Sequence, residues 1–476
     1  MQIDIIVPRP ARRWHAILAD RLAAAGHDLA IIPAAAAGWP ATTRAVLALE
    51  RRLLHRGALS AAVDLPARSR PGAADLAVDL TGTAAATAPT LRLAFDGTVD
   101  DAAVPAALAG GRLPEIDIVL DGRGFGHAAP MVDNRVVMAA GADDVFARAI
   151  TLAVAAVARY GAGDRATAPL AAPPDSGAFA LRYLGSALPR LAREALRRRR
   201  YRFAHWRVGY RLLDGPGVAE TGALGAGWSV LPDDGSRFFA DPFPVEHDGR
   251  RYIFVEDYPH TTRKAVISVS ALDDHGVAGP PVPVLEAPHH LSYPQIFARD
   301  GSLWMLPEGS GGGGLTLYRA ERFPDRWTPA ATLLGGEISD ATLVEHDGAL
   351  WLFATDRDGG LGSTSDTLVV YRAPTLLGPW TPHRRNPIRI DRRRARPGGG
   401  VIRHGSELLL PVQDGTDGYG AGLGLSRIVR LDADEVVLGE PRPVSGAGDF
   451  PYPQIHTLNR AGRLEVIDGI AAVRKR

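Results

Sequence analysis

Hydrophobic and polar positions follow one pattern in residues 1–160 and another in residues 203–476. In the first region, short apolar runs such as Ile3–Val7 alternate with longer amphipathic segments such as Trp14–Ala25, which ends at Gly26. The short runs predict buried strands and the longer segments predict helices. Their alternation is typical of a parallel sheet covered by helices. The further elements that we expect are strands at Asp28–Ile32, Asp75–Leu80 and Leu91–Phe95 and a helix over Ala142–Tyr160.

The second region repeats a unit of apolar strand, turn and apolar strand. In the first three copies the turn is Asp-Gly, at Asp248-Gly249, Asp300-Gly301 and Asp347-Gly348, and this dipeptide strongly favours a hairpin. The equivalent positions at the start of the five copies are Asp241, Tyr293, Asp340, Arg396 and Tyr452. Their spacings of 52, 47, 56 and 56 residues are typical of the repeating blades of a β-propeller.

The last copy contains only two strands, and two earlier segments fit the strands that it lacks. Trp206–Leu212 and Trp228–Pro232 both have the apolar character of strands and precede the first copy. Pairing of an early segment with the last blade closes a propeller and removes its open edge. The sequence therefore predicts an all-β five-bladed β-propeller over residues 203–476.

A linker and a basic helix are expected between these two domains, over residues 161–202. Residues 161–178 are rich in Gly, Ala and Pro, which is typical of a linker, whereas Leu188–Arg202 contains seven arginines. Such a helix is either a binding surface for an anionic partner or a solvated connector, and both interpretations stay open.

Composition and charge exclude several classes of function. The 54 Lys and Arg residues nearly balance the 53 Asp and Glu residues, so specific nucleic-acid binding is not expected. The absence of cysteine excludes thiolate catalysis, disulfides and Cys-ligated metals. We expect no metal site and no cofactor. Because no secretory signal and no transmembrane segment are recognisable, the sequence predicts a cytoplasmic protein.

The segment Asp75–Gly82, followed by Leu91–Gly97, resembles the Rossmann-like domain of the formyltransferase family. The resemblance implies a formyltransferase-like α/β domain over residues 1–160. Members of that family use an Asn, a His in a His-Pro motif and an Asp to position and deprotonate an amine. No His-Pro pair follows Leu91–Gly97, so the domain is expected to be inactive in formyl transfer.

The repeats contain three short motifs, which are Ala-Asp-Pro at 240–242, Ser-Asp-Ala at 339–341 and Gly-Pro-Trp at 378–380. These motifs resemble those of the five-bladed propeller glycosidases, the clan of arabinanases, β-xylosidases and invertase-like enzymes. The longer stretch Phe239–Gly469 resembles the propeller domain attached to plant glucosamine inositolphosphorylceramide transferases. Both resemblances imply a carbohydrate or sugar-nucleotide ligand.

The glycosidase resemblance also implies roles for individual carboxylates. Asp241 matches the clan's base or nucleophile, and Asp340 matches the Asp that tunes the pKa of the general acid. The clan's acidic Glu is replaced by Arg396, which makes Glu308 of the neighbouring blade the candidate acid. Glycoside cleavage requires one carboxylic acid and one carboxylate on opposite sides of the bond. A guanidinium favours an anionic sugar or a diphosphate, so Arg396 is expected to bind substrate. The other expected substrate-binding residues are Tyr293, Glu256, His456, Gln413 and Asp414.

These features lead to three functional hypotheses. In the first, the propeller cleaves or transfers a glycosyl unit, and an anionic glycan or a sugar nucleotide is one class of substrate that fits. In the second, it is a non-catalytic glycan-binding or scaffold module that acts with a glycosyltransferase in the synthesis of a surface polysaccharide or glycolipid. In the third, residues 1–175 transfer a formyl or acyl group to a sugar amine.

Overall fold

A computed structural model describes residues 1–36, 38–83, 87–166, 179–202 and 205–475. The chain divides into two compact units. The first contains Met1–Arg197 with Leu361–Ser363, and the second contains Arg198–Gly360 with Thr364–Arg476. The predicted linker at 161–178 lies largely outside the described residues.

The first unit is built on a six-stranded mixed sheet. Four neighbouring strands run parallel, and they begin at Asp28, Gln2, Leu76 and Thr90. The two remaining strands extend the sheet with antiparallel pairing. In spatial order the strands are Asp28–Ala34, Gln2–Pro8, Leu76–Asp79, Thr90–Phe95, Ile116–Leu120 and Arg123–Ala128. All four strands predicted in this region are confirmed, whereas the antiparallel hairpin at one edge departs from the expected all-parallel sheet.

Helices of this unit pack on the sheet through aromatic and aliphatic side chains. Trp14 stacks on Phe146 with ring centroids 5.5 Å apart, and both rings are buried. The predicted helices Trp14–Ala25 and Ala142–Tyr160 correspond to Arg13–Ala24 and Met138–Gly161. The other helices are Ala41–Leu54, Ala103–Ala109, Phe179–Arg182 and Leu188–Arg200, with a π-helical turn at Tyr183–Ala187, and a short ladder joins Ala11–Arg12 to Ala62–Val63.

The second unit is mostly β and has a propeller-like architecture of antiparallel sheets. The first sheet comprises Arg237–His247, Arg250–Pro259, Val266–Ala271 and Val282–Leu285, and the second comprises Ser292–Arg299, Ser302–Glu308, Gly314–Arg322 and Arg326–Gly335. The third comprises Ile338–His346, Ala349–Asp356, Thr367–Ala373, Thr381–Pro382 and Arg389–Ile390, and the fourth comprises Ile402–His404, Glu407–Asp414, Gly422–Leu431, Val436–Leu438 and Arg442–Pro443.

The fifth sheet combines strands from the two ends of this unit. Its strands are Ile455–Ala461, Leu464–Ile470, Trp206–Leu212 and Ser229–Val230. Trp206–Leu212 pairs along its whole length with Leu464–Ile470, as predicted from the sequence. The remaining elements are the helix Val218–Thr221, the 3-10 turn Ser310–Gly312 and a parallel pair of strands at Ala223–Gly225 and Ser445–Gly448.

Apolar layers between consecutive sheets hold the second unit together. The layer between the first and second sheets contains Phe254 and Met305, and the layer between the third and fourth contains Phe353 and Leu410. Val208 and Leu464 of the fifth sheet share a layer with Ile253 of the first. Since the last sheet packs on the first, every sheet buries both of its faces. The inner strands therefore converge, and the side chains at their starts meet.

Candidate functional site

A β-bulge interrupts the inner strand at the same place in three consecutive sheets. In the first sheet Ala240 pairs with Glu256 and Phe243 pairs with Phe254, which leaves Asp241 in the bulge. The corresponding bulge residues are Tyr293 in the second sheet and Asp340 in the third. All three have φ between 47° and 48°, in the left-handed region that non-glycine residues rarely adopt. Such strain at equivalent positions is typical of sites where a side chain must point in a fixed direction.

His456, and not Tyr452, is the equivalent residue in the fifth sheet. Ile455 pairs with Gly469 and Leu458 pairs with Ile467, so the bulge falls on His456. The prediction of Tyr452 was wrong because its local sequence, Tyr-Pro-Gln-Ile, is identical to that at Tyr293. The fifth copy contains the same motif displaced along the chain, and only the strand pairing reveals the shift.

Asp340 and Arg396 form a buried ion pair at the centre of the second unit. Arg396 Nε donates to Asp340 Oδ2 at 2.5 Å and Nη2 donates to Oδ1 at 3.1 Å, so the guanidinium binds both carboxylate oxygens. Arg396 Nη1 donates to the hydroxyls of Thr364 and Ser365. Gln413 Nε2 adds a third hydrogen bond to Asp340, at 2.9 Å. Burial raises the pKa of Asp340, and the Arg396 guanidinium opposes that rise.

Glu308 lies beside this pair, at the end of the second strand of its sheet. Its carboxylate accepts hydrogen bonds from the backbone N–H of Asp340 at 3.3 Å and from the hydroxyls of Ser310 and Ser339. Arg396 Nη2 lies 3.7 Å from Glu308 Oε2. The predicted acid is therefore next to the predicted pKa-tuning Asp340, with 12% of its side chain exposed.

Asp241 belongs to a second buried cluster, with His456 and Asp468. His456 Nδ1 lies 2.7 Å from Asp468 Oδ1, and His456 Nε2 lies 3.4 Å from Asp241 Oδ1. The other Asp468 oxygen accepts the backbone N–H of Asp241 at 2.8 Å. Thr457 Oγ1 donates to Asp241 Oδ1 at 3.0 Å. The imidazole thus lies between two carboxyl groups.

The two clusters contain titratable groups with shifted pKa values. Burial raises the pKa of Asp241 to about 8; the His456 charge opposes this rise and the Asp340, Glu256 and Asp468 charges add to it. Burial lowers the pKa of His456, but the Asp468 carboxylate outweighs it and raises that pKa to about 9. Burial thus favours the protonated form of Asp241, and the Asp468 carboxylate favours the cationic form of His456.

Glu256 and His290 form a more exposed ion pair near both clusters. His290 Nε2 lies 3.2 Å from Glu256 Oε1, and 41% of the His290 side chain is exposed. Burial lowers the pKa of His290, but the net shift is upward because Glu256, Glu308 and Asp241 all act on it. His290 thus contacts Glu256 directly and is influenced by the charges of the other two carboxyl groups.

Aromatic rings flank the Asp241 cluster. Trp206 stacks on His456 with centroids 4.0 Å apart, and Tyr419 packs edge-on against His456 at 5.4 Å. The guanidinium of Arg396 lies 5.2 Å from the centroid of the Tyr419 ring, and Tyr419 as a whole residue is 43% exposed. Burial of its phenol group raises the pKa of Tyr419 well above the usual value.

The structure brings most of the predicted site residues together, but the side chains of Tyr293 and Asp414 are engaged by neighbouring protein groups. Tyr293 is buried, and its hydroxyl accepts the N–H of Gly399 and pairs with Thr342, so it braces the neighbouring inner strands. Asp414 accepts the N–H of Thr416 in a turn. The site also contains residues that the sequence did not predict, namely Asp468, Thr457, His290, Trp206 and Tyr419. Only Asp468 had a sequence signal, since it ends the second strand of the fifth copy.

Among the residues that the structure describes, one group has the composition and spacing to hold a metal ion, and it consists of Asp241, His456 and Asp468. One ligand atom from each lies within 4.8 Å of the others. A His with two carboxylates is a common ligand set for divalent transition metals.

The comparisons with known proteins concern the second unit. Residues 229–438 match the family model "Glucosamine inositolphosphorylceramide transferase 1, N-terminal". The glucosamine inositolphosphorylceramide transferase 1 of Arabidopsis thaliana is 32% identical over 203 residues, which is 42% of this chain and 26% of that protein. The Oryza sativa subsp. japonica protein is 34% identical over 203 residues, 42% of this chain and 27% of that protein. The chain thus spans about a quarter of the length of these relatives.

Two solved structures whose chains are similar to part of this chain carry the names of glycoside hydrolases. A thermostable family-43 glycoside hydrolase has 15% identity and a TM-score of 0.36 over 45% of this chain and 83% of its own. The catalytic domain of the Coprinopsis cinerea GH62 α-L-arabinofuranosidase has 17% identity and a TM-score of 0.36 over 47% of this chain and 78% of its own.

Proposed function

We propose that the second unit is a five-bladed propeller that binds a sugar at the two clusters and cleaves or transfers a glycosyl unit there. The observation that carries the proposal is the burial of Asp241 beside the Asp340, Glu256 and Asp468 carboxyl groups, which raises its pKa to about 8 and favours the carboxylic acid form. Glycosyl chemistry needs a proton donor for the leaving oxygen and a carboxylate on the other side of the bond. Two carboxyl groups held in different environments are the usual source of that pair.

In this proposal Asp241 donates the proton and Glu308 is the opposing carboxylate. These roles are the reverse of those implied by the glycosidase resemblance. They follow from the surroundings: Asp241 lies buried among other carboxyl groups, which raise its pKa, whereas Glu308 accepts three hydrogen bonds and lies 3.7 Å from the Arg396 guanidinium. Asp340 is a positioning residue, since its oxygens are occupied by Arg396 and Gln413.

A glycan-binding module without turnover is the second candidate. The observation that favours it is the mutual pairing of the charged groups, above all the Asp340–Arg396 pair at the position where the glycosidase clan has its acid. The matched relatives are named as transferases, and the match covers their N-terminal part. A module of this kind would bind the glycan while another domain or protein performs the reaction.

The test is turnover by the full chain and by the Asp241→Asn variant. Both are incubated with a panel of nitrophenyl glycosides and sugar nucleotides, including glucosamine derivatives, and released sugar is measured by mass spectrometry. We expect the variant to lose a factor of about 10² to 10⁴ in kcat, because an amide cannot donate the proton. Turnover by the unmodified chain should fall above about pH 8, as Asp241 loses its proton.

Asp248→Asn is the matched control, because Asp248 lies in the hairpin turn of the same strand and is exposed. It should retain full turnover. Wild-type activity in Asp241→Asn would refute the assigned role. Sugar binding with no turnover on any donor would replace the enzymatic proposal by the binding module.

A further inference from the structure

A helical segment that ends the first unit and continues into the second at Arg198 exposes a stripe of apolar residues. Phe179–Arg182, Tyr183–Ala187 and Leu188–Arg200 follow one another without a break. Four leucines of this segment are largely exposed, with 76% exposure at Leu181, 64% at Leu184, 40% at Leu188 and 48% at Leu196. The small residues Gly185, Ala192 and Ala195 are exposed as well and continue the same spacing of three and four residues. This leucine stripe therefore occupies one face of the segment.

The opposite face of the segment packs on the first unit. Tyr183 Oη donates to Glu50 Oε1 at 2.9 Å, and Arg190 Nη2 donates to the carbonyls of Leu108 and Ala109, both at 2.9 Å. Ala187 is buried on this side. Because these contacts fix the rotation of the segment, the leucine stripe points away from the unit that carries it.

The charge of the segment identifies the kind of partner that fits the stripe. Leu188–Arg200 contains six arginines and a single acidic residue, Glu194, and its last four residues are all exposed arginines. A second copy of this chain would bring two such cationic helices together, which disfavours a dimer on this face. Nucleic acids and acidic polysaccharides match the charge but have no apolar interior for leucines.

We propose that this segment is an interfacial anchor that lies along the surface of a bilayer containing anionic lipids. The leucine stripe enters the acyl boundary and the arginines contact the lipid head groups, as in other amphipathic basic helices. No helix among the described residues is long and apolar enough to cross a membrane. The proposal is independent of the sugar site, since it involves none of its residues.

Flotation of the full chain with vesicles tests the proposal. We expect binding to vesicles of 70% phosphatidylcholine and 30% phosphatidylglycerol to exceed binding to pure phosphatidylcholine by at least about tenfold. Leu184→Ser with Leu188→Ser should lower the partition coefficient by about tenfold or more, because less apolar surface is inserted. Arg199→Gln with Arg200→Gln should lower it by about tenfold on anionic vesicles and much less on neutral ones.

Matched controls distinguish vesicle binding by the leucine stripe from non-specific binding by other exposed leucines and arginines. Leu49 and Leu53 are equally exposed leucines on another helix, and Leu49→Ser with Leu53→Ser should leave partitioning unchanged. The paired substitutions Arg326→Gln and Arg384→Gln remove the same charge elsewhere and should also have little effect. Equal losses in the control and test variants would overturn the proposal. Binding to heparin or DNA with no binding to anionic vesicles would also overturn it.

Discussion

Every nitrogen of the Arg396 guanidinium donates a hydrogen bond within the protein. Nε and Nη2 donate to the two carboxylate oxygens of Asp340. Nη1 donates to the hydroxyls of Thr364 and Ser365. The guanidinium therefore compensates the buried charge of Asp340, and the binding of an anionic substrate by Arg396 remains a prediction.

Removing the Arg396 guanidinium should destabilise the protein in a pH-dependent way. In Arg396→Met, Asp340 stays buried without its cation, which typically costs about 3–5 kcal/mol of unfolding free energy. The pKa of Asp340 then rises further in the folded state while its pKa in the unfolded state is unchanged, so the variant takes up protons on folding. The loss of unfolding free energy relative to wild type is therefore largest near pH 8 and becomes smaller as the pH falls. Urea unfolding between pH 5 and 8 measures this loss.

Arg396→Lys serves as the control for that series. Lysine keeps the positive charge but cannot bind both carboxylate oxygens of Asp340 as a guanidinium does, so this variant should show an intermediate loss of unfolding free energy. A loss in Arg396→Met that grows as the pH falls would contradict the assignment of Asp340 as the group affected.

At the scale of elements, strand pairing accounts for most of what the sequence predicted and for its main error. The Asp-Gly hairpins and the closing strand Trp206–Leu212 are confirmed, because turn chemistry and apolar alternation are local signals. The bulge at His456 was not predicted, since a bulge is defined by the partner strand. The antiparallel hairpin of Ile116–Leu120 and Arg123–Ala128 was missed for a similar reason: Asp121-Gly122 lacks the repeat that made the other turns recognisable.

Closure of the fifth sheet depends on a buried ion pair between its second and third strands. Arg211 Nε and Nη2 donate to Glu465 Oε2 at 3.0 and 2.6 Å, and the two side chains are 8% and 1% exposed. Arg211→Met leaves Glu465 without its cation and should lower the unfolding free energy by about 3–5 kcal/mol. Thermal and urea unfolding measure the change.

Arg427→Met is the matched control, because the Arg427–Glu407 pair joins adjacent strands but is about half exposed. Its loss should stay below about 1 kcal/mol. If the two substitutions have equal effects, the closing strand is not held by the Arg211–Glu465 pair.

At the scale of the whole molecule, repeats and composition predicted two regions of different architecture, and the propeller-like, mostly β part is confirmed. The formyltransferase-like identity of the first domain, its boundaries at 1–160 and the linker remain predictions. The site was predictable to the extent that equivalent repeat positions converge, which brought Asp241, Asp340 and Glu308 to one region. Their protonation states were not predictable, because they depend on burial and on neighbours from other sheets.

The most direct test of the central claim is a crystal structure of the full chain soaked with neutral and acidic sugars and sugar nucleotides. The account predicts a sugar ring between Asp241 and Glu308, within reach of Tyr419 and the Glu256–His290 pair. Carboxyl groups about 5–9.5 Å apart across the bound ring would fit glycosyl chemistry. A sugar bound only elsewhere, with both clusters still closed on themselves, would contradict the account.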